Sequence, residues 1–374
     1  MAGIYLHIPF CRQACHYCNF HFTTSLRYKD ELIQALAKEI VLQKNYLEGE
    51  PVHTIYFGGG TPSLLPIADC RLLMDSIRKT FPVAPDAEVT LEANPDDISD
   101  EKLRGWSDLG INRLSIGVQS FIEEELQWMN RAHTAAEAAA CIEKSLTAGF
   151  TNMSIDLIYG SPLLSDEQWE QNVEKALSYN IPHLSCYALT VEDKTPLHKQ
   201  IQLQKQPALD NDKQACQFLL LMQWLKERGY EHYEVSNFAM PGKRSRHNSS
   251  YWLGEKYLGL GPSAHSYNSK ERQWNIANNQ LYIKAINEGE IPKEVELLTE
   301  TQKLNEYIMI SLRTKEGMDL RIIEKRWGTE KKSTISKQLH RYIMNGCLMQ
   351  NGTVVQLTEE GMLRADGIAA DLFS

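Results

Sequence analysis

No apolar run in this 374-residue chain approaches the ~20 residues a membrane-spanning helix requires, which excludes helical spans. Positive charge is also in short supply. Lys and Arg number 39 against 48 Asp and Glu, a net charge of -9, which argues against a general nucleic-acid-binding role. Met1 leads almost directly into Ile-Tyr-Leu-His-Ile-Pro-Phe, without the basic and apolar segments of a secretory signal, so the expected location is cytoplasmic. In a reducing compartment the eight cysteines read as metal ligands or buried thiols, not as bridges. Five of them (Cys70, Cys141, Cys186, Cys216, Cys347) are scattered singly and read as small buried hydrophobes. Internal repeats and low-complexity segments are absent, and so is a Gly-Lys-Ser/Thr phosphate loop.

The remaining three cysteines, Cys11, Cys15 and Cys18, crowd into one short loop with C-x3-C-x2-C spacing. Soft thiolates select zinc, copper(I) or iron–sulfur clusters. Three protein ligands leave one position of a metal centre open, as catalytic centres require. A cubane cluster on these cysteines offers one iron to the amino and carboxylate groups of S-adenosylmethionine. Zinc with His16 or His21 as fourth ligand, or a redox pair of Cys15 and Cys18, remains open at the level of this loop alone.

Short apolar runs alternate with amphipathic stretches through the first two-thirds of the chain. Strands are expected at 3–8, 52–57, 88–92, 113–118, 152–159, 183–188 and 232–235. Helices are expected at 25–47 (capped by Ser25), 66–79, 99–109, 134–148, 166–178 and 210–228. Such alternation implies βαβ units and a parallel sheet with right-handed crossovers. The cysteine loop, Gly58-Gly59-Gly60-Thr61-Pro62, Glu92, Gln119 and Asp156 all fall at or near strand ends on one expected face, where chemistry collects in barrels. Beyond residue 298 three helices (301–313, 319–327, 332–345) and a 348–357 hairpin with an Asn-Gly turn resemble a winged helix. A structural or protein-contact role is expected for it, because the wing carries no basic residue. The domains expected are a barrel over 1–240, a connecting segment over 241–298 and the C-terminal unit over 299–374.

Several residues suit a ligand. The triple glycine lets one approach bare backbone. Glu92 can accept from ribose hydroxyls. Gln119 and Asp156 are polar within apolar runs and need partners, and Arg131 can pair with a carboxylate. A second cluster runs from Lys243 to Trp252, joining His247, Asn248, Tyr251 and Trp252 to three cations. A planar dianionic macrocycle such as heme wants an axial histidine, rings to stack on and arginines for its propionates. A solvated loop with a satisfied histidine is the plainer reading of the same residues.

Taken together, Tyr-Leu-His-Ile-Pro-Phe-Cys, the cysteine loop, Gly-Gly-Gly-Thr-Pro, Ser-Ile-Gly-Val-Gln-Ser-Phe and Ile-Asp-Leu-Ile-Tyr-Gly resemble radical S-adenosylmethionine proteins of the oxygen-independent coproporphyrinogen III oxidase group. Within it the chain is most similar to the HemW heme-chaperone branch. The resemblance implies an α/β fold, a partial (β/α)6 barrel of TIM type with a C-terminal winged-helix-like domain. It implies a [4Fe-4S] cluster on Cys11, Cys15 and Cys18. It also implies S-adenosylmethionine contacts from Tyr5, Tyr17, Gly59, Gly60, Thr61, Glu92, Gln119, Arg131, Asp156 and Ala188. His247, Asn248, Tyr251 and Trp252 match the heme-binding pattern of the branch. The implied partners are heme and recipient apo-hemoproteins, among them membrane-bound respiratory enzymes. Phe20 stands where the oxidase carries a fourth cysteine, and the oxidase's N-terminal extension has no counterpart before the first strand. Both departures point away from oxidative decarboxylation of porphyrinogen propionates.

Overall fold

The computed structural model describes residues 2–373. Six parallel strands form its centre: β1 (Ala2–Ile8), β2 (Val52–Gly59), β3 (Val83–Ala93), β4 (Arg113–Gln119), β5 (Met153–Tyr159) and β6 (His183–Ala188), paired in sequence order. Helices between them cover the outer face. The α/β character and the partial barrel read from the sequence are both present. The sheet continues at each end. β7 (Glu231–Glu234) and β8 (Asn237–Ala239) add antiparallel strands beyond β6, and β9 (Tyr257–Leu260) pairs in parallel with β1. β10 (His265–Tyr267), β11 (Glu271–Asn275) and β12 (Lys293–Leu297) continue outward as an antiparallel meander. Residues 241–298, read from sequence as a connecting segment, thus carry two helices (Arg246–Trp252 and Asn279–Asn287) and four strands of the same sheet.

The strands sort their side chains by a period of two. Ile4, Leu6 and Ile8, then Ile55, Phe57, Leu91, Leu114, Ile116, Ile155 and Leu184, are buried under the helices. The helices bring Leu32, Leu36, Leu73, Trp106, Ile142 and Trp169 to the same layer. At roughly 25 cal/mol per Å² of apolar surface removed from water, this outer layer is the main source of stability. The inner face is different. Tyr5 and His7, Thr54 and Tyr56, Glu88 and Glu92, Arg113 and Ser115, Ser154 and Asp156, His183 and Ser185 alternate with those apolar residues. A parallel strand buried on both faces is ordinarily apolar throughout. A polar inner face marks a chamber rather than a packed core.

Local signals explain most element boundaries. Thr134 and Ser165 each close a capping box with Glu137 and Gln168, and Ser99 accepts from the Lys102 amide. Ser25 is the exception. The first helix is Lys29–Leu42 with no side-chain cap, and Ser25 instead accepts from the Arg27 amide in a local turn. Cys216, expected to be buried, is exposed.

The C-terminal unit begins with the helix Glu300–Leu312. Leu320–Met344 follows, broken at Gly328 (φ 91°, ψ 167°) into the two helices the sequence suggests. β13 (Met318–Asp319), β14 (Leu348–Asn351) and β15 (Val354–Leu357) make its small sheet. The hairpin turn is centred on Gly352-Thr353, one residue beyond Asn-Gly. Gly352 is at φ 61°, as a turn needing its left-handed residue first would have it.

Candidate functional site

β1 runs directly into the cysteine loop, which is sewn to the segment after β4. Gln13 donates to Asn130 Oδ1 (2.9 Å), Asn130 donates back to Ala14 O (2.7 Å), and the His16 amide bonds Met129 O (3.1 Å). Arg12 reaches Asp97 at 2.5 Å and Asp96 at 3.3 Å. Arg131 completes the seam. One nitrogen lies 3.3 Å from Cys15 Sγ and 3.5 Å from the Tyr17 hydroxyl; the other donates to Asn94 Oδ1 and Gly117 O, both at 2.8 Å.

The three thiols share one electrostatic neighbourhood. Burial raises the Cys11 thiol to about 11 and raises Cys18 as well; each is pushed further by its neighbouring cysteines, while Arg131 opposes the rise. The Thr61 hydroxyl is bonded to Cys11. Among the described residues no three His, Cys, Asp or Glu side chains converge on one ion-sized point. A cluster does not need such convergence, because each thiolate takes a separate iron. The two candidates for a fourth zinc ligand are engaged elsewhere. His16 Nδ1 donates to Trp128 O (2.9 Å), and His21 Nε2 meets Asn279 Oδ1 (2.8 Å). The donor set, three soft thiols beneath one fixed guanidinium, fits a cluster better than a closed zinc site.

The strand ends bring the other expected residues beside this loop. Gly59 has φ 110°, and a Cβ there would lie 2.7 Å from the His7 ring; a Cβ on Gly60 would lie 2.7 Å from Phe10 O. Only glycine lets β2 pass this close to the start of the cysteine loop. Glu92 accepts from the Tyr56 hydroxyl (2.8 Å) and the Gly59 amide (3.1 Å). Burial, reinforced by Asp156, raises its carboxyl to about 7. Asp156 is raised to about 6, also by burial first, and accepts from Ser115 (3.4 Å) and Ser185. Asp156 lies at the middle of β5, one layer below the strand ends. Gln119 ends β4 in a left-handed conformation (φ 67°) beside a register shift. Such strain in a non-glycine residue is held by its surroundings and clusters at functional sites. Ala188 ends β6.

The second cluster divides. His247 is 1 % exposed and points into the chamber floor. Its Nδ1 meets Thr54 Oγ1 and its Nε2 the Tyr251 hydroxyl, both at 2.8 Å, and its ring stacks on Tyr56 at 4.9 Å. Burial, with Arg113 nearby, lowers its pKa to about 3, so it is neutral. Neither nitrogen is free for a metal. Two of the three neighbouring cations are likewise engaged: Arg244 with Glu231 and Glu316, Arg246 with Asp86. The sequence groups these with the aromatics, but the arginines hold carboxylates while Tyr251 and Trp252, on the seven-residue helix Arg246–Trp252, line a cavity that includes neither arginine. The half-buried Asn248 donates its backbone amide to Ser245 Oγ, and its side chain has no hydrogen bond among the described residues.

Tyr251 and Trp252 face a cavity of about 620 Å³, within the usual range for ligand sites. Tyr5, His7, Phe20 and His21 line it toward the cysteine loop; Tyr257, His265, Tyr267 and Arg272 line it along the adjoining sheet extension. The C-terminal unit closes it with Glu306 and Ile310, and Arg313 lies over the Trp252 ring at 5.3 Å. Sequence reading missed His265, Arg272 and Glu306. The one signal for His265 and Arg272 is the alternation of β10 and β11, strands too short to read; Glu306 lies in the helix Glu300–Leu312 with no local signal of its own. A second cavity of about 740 Å³ lies at the opposite ends of β3 to β5 and contains no expected site residue.

The Radical SAM superfamily signature matches residues 5–176, and that of the HemN C-terminal domain matches 298–364. The heme chaperone HemW of Mycobacterium tuberculosis is 34% identical over 375 residues, covering 99% of this chain and 94% of that protein. HemW of Bacillus subtilis is 32% identical over 369 residues, covering 97% of each. The structure of Escherichia coli coproporphyrinogen III oxidase, HemN, a radical SAM enzyme, superposes with a TM-score of 0.87 at 24% identity, covering 100% of this chain and 90% of that one. The likeness to HemN is one of fold. With full-length relatedness to several HemW proteins, the chain belongs to the HemW heme-chaperone family of radical SAM proteins.

Proposed function

We propose that this protein is a cytoplasmic heme chaperone. It carries a [4Fe-4S] cluster on Cys11, Cys15 and Cys18, binds S-adenosylmethionine at the strand ends, receives heme in the aromatic cavity and passes it to apo-hemoproteins. Membrane-bound respiratory enzymes are the recipients proposed. The observation that carries the reading is the placement of the 620 Å³ aromatic cavity directly against the cysteine loop, sharing Tyr5 and the Asn19–Phe20–His21 stretch with it.

When bound, the cluster supplies one-electron chemistry at its open iron. The chain's own residues do the rest. Gly59 and Gly60 leave bare backbone for the methionine moiety, with Thr61 and Gln119 beside it. Glu92 and Asp156 offer acceptors for ribose hydroxyls. Tyr5, Tyr17 and Ala188 border the adenosyl portion, and Arg131 ties the loop to β4. Tyr251 and Trp252 give heme its stacking surface, and His247 and Asn248 brace the helix that presents them.

Anaerobic reconstitution followed by separate titrations with ferric heme and S-adenosylmethionine tests this, with transfer to an apo-hemoprotein followed by absorption. Saturable heme binding and transfer are expected. Turnover of coproporphyrinogen III to protoporphyrinogen, or failure to bind heme, would overturn the reading.

A further inference from the structure

Resting on that reading, the structure assigns the heme ligand to a residue outside the sequence pattern: we propose that heme lies against the face formed by β9, β10 and β11, with His265 as its axial ligand.

Strand alternation builds this wall. Tyr257 pairs with Tyr267, Tyr267 with Arg272, and His265 with Trp274, so all five side chains share one face. Ser266 points to the other face and bonds Gly259, which pins the register. The His265 ring stacks on Trp274 at 6.0 Å and 27°, while Tyr257 and Tyr267 lie 6.2 Å apart. Tyr251 packs edge-on against Tyr257 at 4.6 Å and extends this aromatic lining. The result is a cavity bordered by aromatic rings, which offer faces and edges to a planar macrocycle.

Four histidines lie at or near this cavity, and three are committed. His247 has both nitrogens bonded. His7 holds Tyr5 (3.3 Å) and His21 O (2.9 Å). His21 is anchored to Asn279. The nitrogens of His265 have no hydrogen-bond partner among the described residues, and its ring is fixed by stacking alone. Iron takes a neutral imidazole without displacing an existing bond there. Position also favours it. His265 is exposed at the rim, so a carrier can release its cargo there, whereas His247 is sealed in the chamber floor. Arg272 is paired with Glu306, so a heme propionate reaches it by exchange with that carboxylate.

The test is ferric heme titrated into the reconstituted full chain, read by absorption and electron paramagnetic resonance. His265→Ala should lose the histidine-ligated signal and weaken heme binding at least ~10-fold, the minimum expected when even an outer partner of a metal ligand is removed. Free imidazole should restore the signal. His247→Gln, which can keep hydrogen bonds to Thr54 and Tyr251, should retain it. Unchanged S-adenosylmethionine binding by His265→Ala reports an intact fold. A His265→Ala spectrum identical to wild type, or loss of ligation in His247→Gln alone, overturns the assignment. Wild-type protein that binds no heme overturns the function itself.

Discussion

Replacing Glu92 by Gln should stabilise the protein free of cofactors above neutral pH and leave it unchanged in acid. The Glu92 carboxyl accepts from Tyr56 and Gly59 inside the chamber, and burial holds its pKa at about 7 against an ordinary 4.5. At 1.36 kcal/mol per pH unit that gap corresponds to about 3.4 kcal/mol. The chamber leaves the side chain partly solvated, so about 2 kcal/mol is the better expectation. The sign follows from proton counts. Below pH 4.5 both folded and unfolded chains hold the proton, and there is no cost. As pH rises from 4.5 toward 7 the unfolded chain releases it while the folded chain retains it, so stability falls; above about 7 the loss is complete. Glutamine is neutral throughout and escapes the loss. With an unfolding entropy of about 2.1 cal/mol/K per residue over 374 residues, 2 kcal/mol is worth about 2–3 °C in Tm. Thermal and urea unfolding of the cluster-free protein at about pH 5 and about pH 8 reads this difference directly. A Glu92→Gln effect of equal size at both values, or destabilisation in the alkaline sample, refutes the reasoning. The same variant loses a charge-assisted acceptor and should bind S-adenosylmethionine about 10-fold more weakly, a site gaining stability as it loses function.

Two further changes probe the loop and its seam. Arg131→Lys replaces a planar fork by a single ammonium and cannot hold Asn94, Gly117 and the Cys15–Tyr17 side at once. Reconstituted protein should lose iron faster on anaerobic gel filtration, and retention equal to wild type would show that the seam is unimportant. Gly60→Ala drives a methyl group to 2.7 Å from Phe10 O and 2.9 Å from Ile8 O, both backbone atoms. A loss of about 1–3 kcal/mol in urea unfolding is expected from such overpacking, and an unchanged midpoint would contradict the geometry.

The fold was legible wherever a capping residue or an apolar alternation spoke locally. β5, β6 and the helix Asp166–Ser178 fall within a residue of expectation because Ser165 caps the helix and the strands read as apolar runs. Ser25 misled because Ser and Thr serve local turns as readily as helix caps, and only the tertiary path decides between them. The sheet extension from β9 to β12 was illegible for another reason. Strands of three to five residues carry too few alternations to stand out, and their pairing with β1 is a long-range choice.

The cysteines, glycines and carboxylates of the candidate site could be picked from sequence because each of those needs follows from one residue's own chemistry. The proposed heme ligand could not, because ligation is decided by what already occupies the two nitrogens. His247 sits among residue types that suit heme, yet Thr54 from β2, almost two hundred positions earlier, claims one of its nitrogens. His265 lies in an unremarkable Ala-His-Ser-Tyr stretch and becomes notable only when β10 sets it beside Trp274 and leaves its nitrogens without partners. The C-terminal unit makes the same point. Its charge balance pointed to a structural or protein-contact role, and the structure adds that Glu306 and Ile310 line the cavity while Arg313 covers Trp252. Whatever moves the helix Glu300–Leu312 must alter the cavity, a coupling that neither segment's sequence records; if heme occupies that cavity as proposed, its exchange is subject to the same coupling.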